Sequence, residues 1–186
     1  MHCISNFLES MAHEMPDFSD VTISKTGYKV DGNGIKYFCK YNNLKSIDYY
    51  SVDSKRGFLY VEFSDLIKQD AQIQTKIQSV TDSDLSKGMK KELRKGYYKT
   101  INQELVQKFK DSNTILSRLS SKLKNIPDEF NNLSTYVIVV APVELNDPKR
   151  IDKVKFLDTL KDKLTNALPS GMHSGVKVIT LTQFIS

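Results

Sequence analysis

The 186-residue chain is 39% apolar and 26% charged, with nine Tyr and nine Phe, an ordinary globular balance with enough apolar mass for one sizeable core. No apolar run approaches the roughly 18 residues a membrane span requires, and the two cysteines, Cys3 and Cys39, have neither framework nor metal-ligand spacing. The net charge of +5 is uneven: residues 68–125 hold thirteen Lys/Arg against six Asp/Glu, the footprint of a polyanion site or the solvated face of a lysine-rich helix.

In chain order, Ile4, Phe7, Leu8 and Met11 recur at helical spacing and predict a short helix over 4–15. Its start lacks the basic and apolar regions of a signal peptide, so a cytoplasmic protein is expected. "VTISKTGYKV" and "IKYFCKY" flank "DGNG" and predict a hairpin. "KSIDYYSVD" and "GFLYVEFSDL" flank "SKRG" and predict a second one. Residues 70–83 read as a polar loop or helical lead-in.

From about Asp84 the apolar residues step by four, through Leu93, Tyr97, Ile101, Leu105 and Phe109. That spacing predicts a basic helical segment over 84–125, in two helices broken near "DSNT". "TYVIVVAPV" reads as a central strand covered on both faces. "NDPKRIDKVKFLDTLKDKLTNAL" reads as a helix with Asp147 as N-cap and Pro148 at its first position, and "GVKVITLTQF" as a last strand. The expected architecture is a single α/β domain over 1–186. It has a mixed sheet, an antiparallel meander, a long lysine-rich helical segment and a C-terminal β-α-β unit.

Glu62 is the residue that asks for an explanation. It sits inside the apolar run Phe58-Leu59-Tyr60-Val61-Glu62-Phe63, where an unpaired carboxylate is costly. Strand alternation puts Glu62 and Ser64 on one face, and Asp48 on the neighbouring strand can reach the same place. Two such carboxylates suit Mg²⁺ or Mn²⁺. The plainer alternative is an ion pair of Glu62 with Lys36 or Lys45.

An Asp on one strand and a Glu in the next, in this element order, resembles the PD-(D/E)XK nuclease-like superfamily over roughly residues 1–145. The resemblance implies a restriction-endonuclease-like core, metal ligation by Asp48 and Glu62, and phosphodiester hydrolysis. The family's motif lysine is replaced by Ser64. Lys68, or Lys91, Lys95 or Lys99 further on, is then expected to supply the charge, and Glu9 or Glu14 an additional carboxylate. The alternative is a scaffold without catalysis that binds nucleic acid or a protein partner, in a mobile-element or defence setting.

Lys87, Lys90, Lys91, Arg94, Lys95 and Lys99 are the expected phosphate contacts. Tyr49, Tyr50, Tyr97 and Tyr98 are candidates for base stacking, although Tyr97 falls on the apolar stripe; Tyr98, about 100° further round the helix, is expected to be exposed. The same helix offers Leu93, Tyr97 and Ile101 as an interface for a protein partner or a homodimer. His2, His13 and His173 are scattered and expected at the surface. "DGNG" does not precede a predicted helix, and neither a P-loop nor a Gly-x-Ser-x-Gly pattern appears.

Overall fold

A computed structural model describes residues 2–83 and 85–186, apart from the side chain of Arg94. Among these residues the strands are β1 (His2–Cys3), β2 (Leu8–Ser10), β3 (Thr26–Lys29), β4 (Tyr49–Asp53), β5 (Gly57–Phe63), β6 (Leu123–Lys124), β7 (Ser134–Val140) and β8 (His173–Thr180). The α-helices are α1 (Ile35–Phe38), α2 (Leu66–Thr81), α3 (Lys87–Leu116), α4 (Arg150–Ala167) and α5 (Leu181–Ile185). Six strands form one mixed sheet in the order β2-β3-β4-β5-β7-β8, and β1 pairs separately with β6. The meander β2 to β5 is antiparallel, whereas β5, β7 and β8 run parallel. The fold is therefore mixed α/β, and no helix among the described residues is long and apolar enough to cross a membrane.

Alternation along the central strands divides the core. Tyr50, Phe58, Tyr60, Tyr136, Ile138 and Val140 face α2, α3 and α4, where they meet Ile73, Ile101, Leu105, Phe109 and Leu160. Tyr49, Leu59, Val61, Val137 and Val139 face the other way, onto Met11, Met15, Ile23 and α5. Glu62 belongs by parity to the helix-covered face.

Several local expectations are corrected. Residues 4–15 form a 3-10 turn, Ile4–Phe7, followed by the edge strand β2, because Leu8, Glu9 and Ser10 register against Tyr28, Gly27 and Thr26. The first hairpin is absent: "DGNG" leads into α1, with Ile35 buried and Tyr37 60% exposed. A side chain at Gly34 would collide with the Lys29 and Asp31 carbonyls, so this close approach of the chain to itself requires glycine. The second hairpin forms as expected. Asp53 Oδ1 accepts from the N–H groups of Lys55 and Arg56, and Gly57 takes a φ of +73°.

Residues 66–81 are helical, closed at the start by Asp65, whose side chain accepts from the Lys68 N–H. The two-helix expectation for 84–125 fails. One helix of 30 residues, about 45 Å long at ~1.5 Å per residue, runs straight through "DSNT". Asp84 itself lies outside the described residues. The polar cluster is the helix's dock on the sheet. Ser112 Oγ accepts from the Ile47 N–H at 3.0 Å, the Ser112 carbonyl from the Tyr50 hydroxyl at 2.6 Å, and Asn113 Oδ1 from the Tyr60 hydroxyl at 2.9 Å. Helix α4 starts at Arg150 with Lys149 as N-cap, two residues later than expected. Asp147 stands just before it, accepting from the Lys149 N–H and pairing with Lys153 at 2.5 Å. The last strand ends at Thr180, where a capping box with Gln183 turns "LTQF" into α5.

Candidate functional site

Strand β5 carries Glu62 to its C-terminal end, and α3 crosses above it on the same face. One step beyond the last registered pair of β4 and β5, Tyr49 with Val61, Asp48 comes opposite Glu62. The Asp48 N–H donates to the Val61 carbonyl at 3.1 Å, and its Oδ2 accepts from the Phe63 N–H at 2.7 Å. The two carboxylates thus share one end and one face of the hairpin, as the sequence suggested.

The partner of Glu62 is neither Lys36 nor Lys45. Lys36 pairs with Asp31, and Lys45 with Glu104 at 3.6 Å. Lys108 of α3 instead donates to Glu62 Oε1 at 2.5 Å, while the other oxygen, Oε2, is buried with no hydrogen-bond partner. Glu62 is 2% exposed. Burial and the neighbouring Asp48 push its carboxyl up to about 8 against the opposing pull of Lys108. Burial likewise pushes Asp48 up to about 6, although the Phe63 N–H and Lys108 favour its charged form. Burial acts to lower the Lys108 ammonium, but Glu62 and Asp48 together hold it above its ordinary value.

Glu62 and Lys108 open on a cleft of about 240 Å³ whose wall also includes Ser64, Asp65, Gln69 of α2, Glu104 of α3 and Glu14, whereas Asp48 stands behind Glu62 and is not part of that wall. Ser64 is half-buried at the rim, its N–H donating to the Val139 carbonyl. Lys68 is exposed and outside the cleft. Glu9 is also outside it, on β2, where it accepts from the Tyr49 hydroxyl and pairs with Lys29 at 3.0 Å. Glu14 lines the cleft, but from an irregular segment rather than a helix. Among the described residues no three His, Cys, Asp or Glu side chains converge as a metal cluster.

The basic stretch disperses along α3. Lys87, Lys91, Lys95 and Lys99 are exposed, with Lys95 paired to Glu92 at 2.8 Å. Lys90 is half-buried and donates to the Thr81 carbonyl. The side chain of Arg94 lies outside the described residues. Tyr49 and Tyr50 are buried and available to no base. Tyr98 is half-buried and donates to Asp70 at 2.9 Å, and Tyr97 packs partly against the core beside Lys76. Ile101 is likewise committed to the core, so of the expected partner stripe Leu93 remains exposed. His13 and His173 are half-buried rather than at the surface, and His2 is exposed.

Lys108 is the candidate site residue that the sequence reading missed. A signal was present: Ile101, Leu105, Lys108 and Ser112 fall at i, i+4, i+7 and i+11, so this lysine lies on the buried stripe. No protein family, curated protein or solved structure gives a significant match to the chain.

Proposed function

We propose that the chain is a nuclease-like protein of the PD-(D/E)XK type, which binds nucleic acid and hydrolyses phosphodiester bonds with Mg²⁺ or Mn²⁺ at the Asp48–Glu62–Lys108 group. The observation that carries this reading is Lys108 on Glu62, a half-buried cation from α3 that shares the cleft with Ser64, where the motif lacks one. The parallel pairing of β5 with β7, after an antiparallel meander, supports a restriction-endonuclease-like core.

The donor set fits a hard divalent cation. Glu62 Oε2 is a buried carboxylate oxygen with no partner, and Asp48 adds a second carboxylate opposite it. With two protein carboxylates, the remaining coordination falls to water and to the substrate's own phosphate. A bound cation supplies polarisation of the phosphodiester and a lowered pKa for the attacking water. Lys108, on the other carboxylate oxygen of Glu62, would supply the positive charge that stabilises negative charge developing on the phosphoryl oxygens. Glu62 gives up its proton as it becomes a ligand.

The second reading is a scaffold without catalysis, favoured by a carboxylate already satisfied by an ammonium and by the absence of a three-ligand cluster among the described residues. Calorimetry with Mn²⁺ and Mg²⁺ on the wild type and on Glu62→Gln separates the two. Binding that disappears in the variant, with metal-dependent cleavage of a DNA or RNA substrate, supports the nuclease. No metal binding and no cleavage leave the scaffold.

A further inference from the structure

Across α2 from the cleft lies a larger groove of about 1060 Å³, between α2, α4 and Tyr98 of α3. Consecutive residues of α2 line the two openings, Gln69 the cleft and Asp70 the groove. The α4 wall carries Lys149, Lys153, Lys155 and Lys163 against the carboxylate of Asp152. On the α2 wall, Gln74, Thr75 and Gln78 are uncharged, and Asp70 is buried, accepting from Tyr98 and Gln74. Lys153 is engaged by Asp147, while Lys149, Lys155 and Lys163 are exposed. The rings of Tyr98 and Phe156, both lining the groove, are 5.6 Å apart between centroids.

We propose that this groove, rather than the lysines along the first turns of α3, takes a single strand of nucleic acid. Phosphates lie on Lys149, Lys155 and Lys163, and a base stacks against Phe156. The proposal rests on reading the ligand as nucleic acid, but not on catalysis. Cations along one wall, an opposite wall whose one carboxylate, Asp70, is buried and capped by Tyr98 and Gln74, and an aromatic surface beside them are features that suit unpaired strands, since every base has a face to stack. Lys149 and Lys163 stand roughly 21 Å apart along α4, the reach of a short oligonucleotide. Lys87, Lys91, Lys95 and Lys99 lie outside both openings.

The test is fluorescence anisotropy with a labelled 20-nucleotide oligothymidylate and a duplex of equal length, in EDTA so that nothing is turned over. Lys149→Glu/Lys163→Glu is expected to weaken single-strand binding at least about tenfold and to flatten its salt dependence. Phe156→Ala is expected to weaken it about threefold or more. Lys87→Glu/Lys91→Glu should stay within about twofold. The proposal is overturned by unchanged binding in the groove variant, by an equal loss in the α3 variant, by tighter binding of the duplex, by displacement with polyglutamate as readily as with unlabelled strand, or by failure of the wild type to bind at low salt. Cleavage with Mn²⁺ is scored separately. Binding without cleavage removes the nuclease and keeps the groove, whereas cleavage with groove-independent binding does the reverse.

Discussion

Glu62 and Asp48 are held where their protonated forms are favoured, and this fixes the sign of a pH effect. Their folded pKa values, about 8 and about 6, lie above those of the unfolded chain. The folded state therefore binds more protons between about pH 4 and 8, so the associated stability is complete below about pH 4 and is lost as pH rises through 6 to 8. The thermal midpoint is expected to fall between pH 5 and pH 9, and to fall less in Glu62→Gln. An equal fall in both proteins would assign the effect elsewhere. Metal binding at the same group should release protons, giving an enthalpy that varies with buffer and an affinity that rises from pH 6 to pH 8.5. Lys108→Met removes the cation and leaves the carboxylate buried without compensation, at a cost on the order of 3 kcal/mol at pH 9 by urea denaturation. Near pH 6 the cost should shrink, because Glu62 takes up a proton instead. Adding Glu62→Gln should recover much of the loss at pH 9. Glu62 was legible in the sequence because a carboxylate inside an apolar strand has few reasons to be there. Lys108 was less so, because its only signal is its place on the Ile101–Leu105–Ser112 stripe, and a lysine beside an apolar stripe ordinarily carries its ammonium out to water.

Helix α3 joins two different environments. Its C-terminal half is bonded to the sheet through Ser112 and Asn113, while most of residues 87–99 face solvent. Gly96 stands in the exposed part with no atom within 4 Å of the position a Cβ would take. Gly96→Ala is expected to stabilise the protein by about 0.5–1 kcal/mol, through helix propensity alone. Ser112→Ala leaves the Ile47 N–H buried without an acceptor and should cost about 1–3 kcal/mol in urea denaturation, with a change below about 0.5 kcal/mol refuting the dock. The "DSNT" stretch misled the sequence reading because Ser, Asn and Asp are helix-neutral residues favoured in caps, and only the tertiary partners keep them helical. "DGNG" misled it for the opposite reason. The turn itself is present, but the residues after it pair with no strand: β3 takes β2 and β4 as its neighbours, a tertiary fact.

At the scale of the molecule, the mixed α/β class was legible because strand-like and helix-like apolar patterns alternate repeatedly along the chain. The N-terminal segment was not, since Leu8–Ser10 is a strand only by virtue of its neighbour β3. The order of the sheet carries one more consequence. The parallel neighbours β5 and β7 are separated by the whole excursion from Phe63 to Ser134, yet both are buried almost end to end. The chain must close that long loop before the centre of its sheet gains anything, which raises contact order and slows the search. Stopped-flow refolding should therefore be slow, on the order of milliseconds to seconds. Val137→Ala should depress the refolding rate if the β5–β7 junction is formed at the barrier, and should speed unfolding alone if it closes afterwards. Until that junction forms, Leu59, Val61, Val137 and Val139 are without cover, so the interval before closure is when this chain is most open to aggregation.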